Sequence, residues 1–177
     1  MKSSAACPGP GLVLVAPGGL NPSAAGPLAQ LLGLRLESDP GPQVSEDPAA
    51  LLSGLGRRPP GWLCPLALDP GQDLGGGSCW AEILAAWHQP VLLQMEADAA
   101  ASGLARAYGA LLQQAGVPLV GLLQQGGPWQ AAARRADGLP WLGWWSLVPG
   151  DEAVEAALEL RRCIWAGWSQ LPQFCQA

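Results

Sequence analysis

Lysine is almost missing from this chain. Lys2 is the only one in 177 residues, and arginine supplies the remaining cations. Histidine, phenylalanine and tyrosine occur once each. With His88 as the sole imidazole, a histidine-rich metal site is excluded. The five cysteines (7, 64, 79, 163 and 175) form no C-x-x-C pair and are odd in number. Neither a disulfide framework nor a zinc site follows, so reduced thiols and a cytoplasmic location are expected, with no metal. Charge is scarce too: 13% of residues are charged, the formal net charge is −5, and the arginines are scattered. That argues against nucleic acid or an anionic membrane as a partner. No apolar run reaches the ~18 residues of a membrane-spanning helix. Lys2 is followed by no apolar stretch, so no secretory signal is expected.

Hydrophobic residues are abundant, at 49%, which argues for a packed core despite 24 Gly and 18 Pro. The length suits one domain. We expect an α/β domain over residues 11–170, between an N-terminal tail (1–10) and a C-terminal tail (171–177).

Short apolar runs alternate with helical patterns. Gly11–Ala16 (GLVLVA) is a strand running into the Pro17-Gly18-Gly19 turn. Leu28, Leu31 and Leu32 fall at helical spacing, with Pro27 in the first turn and Gly33 as the C-terminal stop. Leu34–Ser38 is a short strand, and Asp47-Pro48 opens a small helix ending at Gly54. Gly61–Leu68 is a strand interrupted by Pro65. Ser78 would cap a helix whose apolar face is Trp80, Ile83, Leu84 and Trp87. Pro90–Met95 is a strand, and Asp98 would cap a long helix facing inward through Leu104, Tyr108, Leu111, Leu112 and Ala115. Val117–Leu123 and Trp141–Leu147 are further strands. A final helix from Asp151 would bury Val154, Leu158, Trp165 and Trp168. Alternation of this kind predicts a three-layer, doubly wound, mostly parallel sheet of about six strands, P-loop NTPase-like or Rossmann-like. Ligands in such sheets bind beyond the carboxyl ends of the strands. The loops to watch are 17–25, 69–78, 96–103, 124–135 and 148–151.

The segment from Gln89 to Gly127 (QPVLLQMEADAAASGLARAYGALLQQAGVPLVGLLQQGG), followed by Leu139-Pro140-Trp141-Leu142-Gly143, resembles the later half of dethiobiotin synthetase and its P-loop relatives. Gly61-Trp62-Leu63-Cys64-Pro65-Leu66 is similar to a glycine-containing G-W-x-x-P-L segment of that family. The resemblance covers about half the chain. It implies a P-loop strand-to-helix turn after the first strand, yet the positions of its Gly-Lys-Thr ending are Ser23, Ala24 and Ala25 here. A second placement, Leu12–Gly19 on the family's strand that ends in Glu-Gly-Ala-Gly-Gly, remains open, with the acid lost. Under either placement a catalytic group is gone. A P-loop lysine places a fixed positive charge on the β- and γ-phosphates, and its neighbouring hydroxyl binds magnesium. ATP and Mg are therefore not expected to bind in the usual way, and the cofactor stays unassigned.

Candidate ligand-binding residues follow from these loops. Gly18, Gly19, Asn21 and Ser23 could cradle an anion at a helix start, or form an ordinary turn. Asp69 could act as a magnesium-holding acid, or as a turn residue before Pro70-Gly71. Asp98 and Ser102 stand on the ligand edge, or serve as helix caps. Gln124 and Gln125 stand where the resembled family places a base-reading Asn. No catalytic residue is assigned. Cys79 and His88 are about 13 Å apart along one helix, too far for a dyad. Trp129 is expected to be the exposed aromatic, and one of Trp144 and Trp145 is exposed if their strand lies at an edge. The leading expectation is a dethiobiotin-synthetase-like protein with a degenerate nucleotide site, non-catalytic or a weak anion binder. The alternatives are an assembly partner acting through exposed Trp and Gly/Pro-rich loops, as a homodimer or with another protein, and an unrelated doubly wound enzyme.

Overall fold

In a computed structural model of the chain, which describes residues 11–20, 22–37, 47–147 and 151–171, six parallel strands form one sheet. The strands are β1 (Gly11–Val15), β2 (Arg35–Leu36), β3 (Trp62–Pro65), β4 (Val91–Glu96), β5 (Leu119–Gln125) and β6 (Trp141–Trp145). Between and after them run α1 (Pro22–Leu32), α2 (Pro48–Gly56), α3 (Trp80–Ala86), α4 (Ala97–Ala101), α5 (Leu104–Ala115), α6 (Ala131–Ala136) and α7 (Asp151–Gln170). The strand order is β2-β3-β1-β4-β5-β6. It matches neither the 3-2-1-4-5-6 order of dinucleotide-binding sheets nor the flavodoxin-like 2-1-3-4-5 order. The tail expected at 1–10, and that expected at 171–177 apart from Leu171, lie outside the described residues.

The strand period of two divides the core into layers. Val13 and Val15 of β1, Trp62 and Cys64 of β3, and Leu93 and Met95 of β4 pack with Leu52, Leu55, Trp80, Leu84, Ala105 and Leu112 of α2, α3 and α5. The alternate residues Leu12, Leu14, Leu63 and Leu92 face Leu28, Ala29 and Leu32 of α1 and Leu160, Ile164 and Trp168 of α7. Strands buried on both faces explain why the sequence shows continuous apolar runs there instead of alternation.

Several elements differ from their sequence expectation, each for a local reason. α1 begins at Pro22, so Pro27 sits inside the helix and not in its first turn. The helix expected from Asp98 is two helices. Ser102 Oγ donates to Ala99 O at 2.8 Å and accepts from Leu104 N at 3.2 Å, closing α4 and opening α5. Asp98 therefore lies in the first turn of α4 instead of capping a long helix, and Leu104 is 44% exposed. Cys79, not Ser78, caps α3, and Glu82 reaches back to the Cys79 amide at 2.9 Å. Trp87 falls past the end of α3 and is exposed. β5 continues through Gln124 and Gln125, and α6 occupies what reads as loop. Among the described side chains of α7 the buried stripe is Leu160, Ile164 and Trp168, Leu158 is exposed, and Val154 lies outside them. Trp129 is half-buried, packed edge-to-face on Trp141 with ring centroids 6.1 Å apart.

Candidate functional site

Crossovers leave β1 toward the β3–β2 side and leave β4 toward β5, so the sheet splits at the carboxyl ends of β1 and β4. A cavity of about 250 Å³ opens there, on the α1 side. Its walls come from Pro17, Gly19, Leu20 and Ser23 after β1, Gln94 and Glu96 of β4, and Gln125 of β5, with Leu104 and Leu147 at its edge. A second cavity of about 340 Å³, lined by Glu96, Asp98, Gln125, Ser146 and Leu147 among others, shares three residues with the first and continues it. Asn21 and residues 148–150 lie outside the described residues.

The turn after β1 is tight and self-satisfied. Gly18 and Gly19 take φ of 73° and 89°, in the left-handed region glycine tolerates. A Cβ on Gly19 would stand 1.9 Å from Ala67 O, so the turn is pressed against the end of β3. Gly19 N donates to Ala16 O at 3.0 Å and Leu20 N to Leu66 O at 3.3 Å. Gly18 N donates to a carboxylate oxygen of Asp69. Pro17 has no N–H to offer. The amides of residues 17–20 are thus all absent or committed within the protein.

Asp69 also accepts from Gly71 N at 2.7 Å and from Tyr108 Oη at 2.5 Å. It pins the 69–71 turn and α5 to the turn after β1. Desolvation pushes the Tyr108 hydroxyl up to about 12, with the hydrogen bond to Asp69 and its negative charge adding to the effect. Gln124 is fully buried on the opposite face of the sheet. Its Nε2 donates to Gly126 O at 2.8 Å and Pro128 O at 3.2 Å, and its Oε1 accepts from Arg134 Nη2 at 3.1 Å. Arg134 is itself buried, donates to Ala100 O at 2.5 Å, and lies 4.8 Å over the Trp141 ring. This cluster braces the β5–α6 loop. Ser102 serves the break between α4 and α5, and Asp98, exposed, borders the second cavity.

The crevice therefore gathers Gly19, Ser23 and Gln125 from the sequence candidates, with Asp98 in its extension, and directs Asp69, Gln124 and Ser102 to other duties. Sequence reasoning passed over Gln94, and it marked the 96–103 loop without singling out Glu96. Gln94 is 4% exposed and donates through Nε2 to Gln125 Oε1 at 2.5 Å, while its own Oε1 has no partner among the described residues. Glu96, two residues on, lies on the same face of β4 and is exposed. The signal was present: Gln94 interrupts an otherwise apolar buried strand. Among the described residues no group of three or more His, Cys, Asp or Glu is placed to hold a metal, and no helix is long and apolar enough to cross a membrane. Comparison of the chain with protein-family models and with curated proteins finds no match to either.

Proposed function

We propose that this chain is a dethiobiotin-synthetase-like α/β protein whose nucleotide site has degenerated, leaving a small-molecule binder without phosphoryl-transfer chemistry. The observation that carries this reading is the turn after β1. A phosphate-binding loop works because several amide N–H groups point outward at an anion. Here the Gly18 amide holds the Asp69 carboxylate, and those of Gly19 and Leu20 hold backbone carbonyls. An incoming phosphate would meet a resident negative charge, with no lysine among the described residues to offset it.

Calorimetric titration with MgATP tests the proposal. The expected result is no binding tighter than about 10 μM, or about −7 kcal/mol. A tighter site would overturn the reading. An assembly role through exposed tryptophans draws less support, because Trp129 packs on Trp141, which leaves Trp87 as the exposed one among the described residues. A cytoplasmic setting is part of this reading, on the odd number of cysteines and the lack of any C-x-x-C pair in the sequence.

A further inference from the structure

We propose that the crevice at the β1–β4 switch point takes a guanidinium group carried on a short aliphatic stem, and so has the opposite polarity to a phosphate site. The inference deepens the reading of a lost nucleotide site, since it names what the remaining cavity can hold. Three observations lead to it.

The first is an acceptor without a donor. Gln94 Oε1 is buried in the cavity wall and has no partner among the described residues, although the Nε2 of the same amide is bound to Gln125. Leaving such an acceptor dry is unfavourable, and a ligand N–H that reached it as the Gln94 and Gln125 side chains turned outward would remove that penalty. The second is charge. Among the described residues lining the cavity Glu96 is the sole charged one, and Asp98 adds a second carboxylate in its extension. Gln94 and Glu96 stand about 6.6 Å apart along the strand, so a ligand between them meets a neutral acceptor deep in the wall and a carboxylate at the mouth. The third is the apolar edge. Leu104 and Leu147, 44% and 51% exposed, both border the opening.

A guanidinium satisfies all three. Its planar fork carries five N–H donors, enough for the amide oxygen and the carboxylate together. It is less strongly hydrated than an ammonium, so entry beside a buried glutamine costs less. The methylene stem would lie along Leu104 and Leu147, as arginine stems lie along apolar surface.

The probes are n-butylguanidinium, as a free small molecule, and a blocked arginine (N-acetyl, N-methylamide), as a stand-in for a partner's side chain. n-Butyrate and inorganic phosphate serve as anionic controls. Amide chemical shifts of the folded, full-length chain are followed during each titration, for the native protein, Glu96→Gln and Gln94→Leu. The expected result is saturable shifts around residues 17–23 and 94–96 with a dissociation constant of about 1 mM or tighter. Glu96→Gln, at an exposed site that leaves packing intact, should weaken binding at least about tenfold, and Gln94→Leu about fivefold or more. Tighter binding of butylguanidinium identifies a free ligand, and tighter binding of the blocked arginine identifies a side chain; either supports the inference. Failure of both cations to saturate, equal binding by Glu96→Gln, or tighter binding of butyrate or phosphate would overturn it. MgATP added to the same sample separates the two proposals. If it shifts the crevice resonances, the lost-nucleotide reading falls; if neither MgATP nor the guanidinium probes do, only the guanidinium assignment falls.

Discussion

Asp69 illustrates how one side chain can close a site. Its carboxylate accepts from Gly18 N, Gly71 N and Tyr108 Oη, joining the turn after β1, the turn after β3 and α5. Replacing Asp69 with Ala should destabilise the protein by about 1.5–3 kcal/mol, the range for hydrogen bonds to a charged group, read from urea unfolding midpoints. Tyr108 gives the same link a pH signature. Its folded-state pKa is raised from 10 to about 12, so the neutral hydroxyl is the favoured form in the native state. Its contribution is complete below pH 10 and is lost as pH rises through about 12. Stability of the native chain should therefore fall across that alkaline window, and Tyr108→Phe should lack this component. An identical alkaline decline in both would refute the link. Arg134 is the second residue of this kind. Its acceptors, Ala100 O and Gln124 Oε1, are neutral and sealed from water, and Trp141 covers the guanidinium plane. Arg134→Met should cost about 2–4 kcal/mol by stranding those acceptors. Arg134→Lys should recover little, because an ammonium cannot reproduce the planar fork. Full stability in the lysine variant would count against the bracing role.

At the scale of elements, two glycines in the left-handed region separate backbone preference from close approach. Gly116 ends α5 at φ 81° with open space where a Cβ would stand, so Gly116→Ala should cost only the conformational term, about 1–2 kcal/mol. Gly19, at φ 89°, would drive a Cβ into Ala67 O at 1.9 Å. Gly19→Ala must displace the turn from the end of β3 and should cost clearly more than Gly116→Ala in parallel denaturant titrations. Equal losses would show that the turn is not pressed on the sheet. The elements also show what a one-dimensional pattern misses. Gly116, Asp47 and the helix around Trp80 were legible, since αL stops, N-caps and i, i+4 apolar pairs are local chemistry. The break at Ser102-Gly103 was not, because Leu104 keeps the helical spacing while its side chain goes to the crevice edge. In α7, Leu158 and Leu160 are both plausible core residues by spacing. Packing against β6 and α1 selects Leu160.

For the whole molecule, binding and stability are linked. A ligand that binds only the native state raises stability by RT ln(1 + [L]/Kd), about 2.7 kcal/mol at a hundredfold excess over Kd. Excess MgATP should thus leave the thermal midpoint unchanged if the nucleotide site is lost. The sequence by itself determined the α/β class, the succession of strands and helices, and the scarcity of lysine, because buried parallel strands and missing residue types are properties of the chain. It could not determine which polar groups would meet. Asp69 and Gly18 are 51 residues apart, and Gln94 and Gln125 are 31 apart. Only the folding of the sheet into the order β2-β3-β1-β4-β5-β6 brings them together. That order sets the crevice between β1 and β4, commits the Gly18 amide to Asp69, and leaves the buried Gln94 carbonyl without a partner among the described residues, in the wall of a cavity edged by Glu96. Such pairings depend on strand neighbours, which local propensity does not encode.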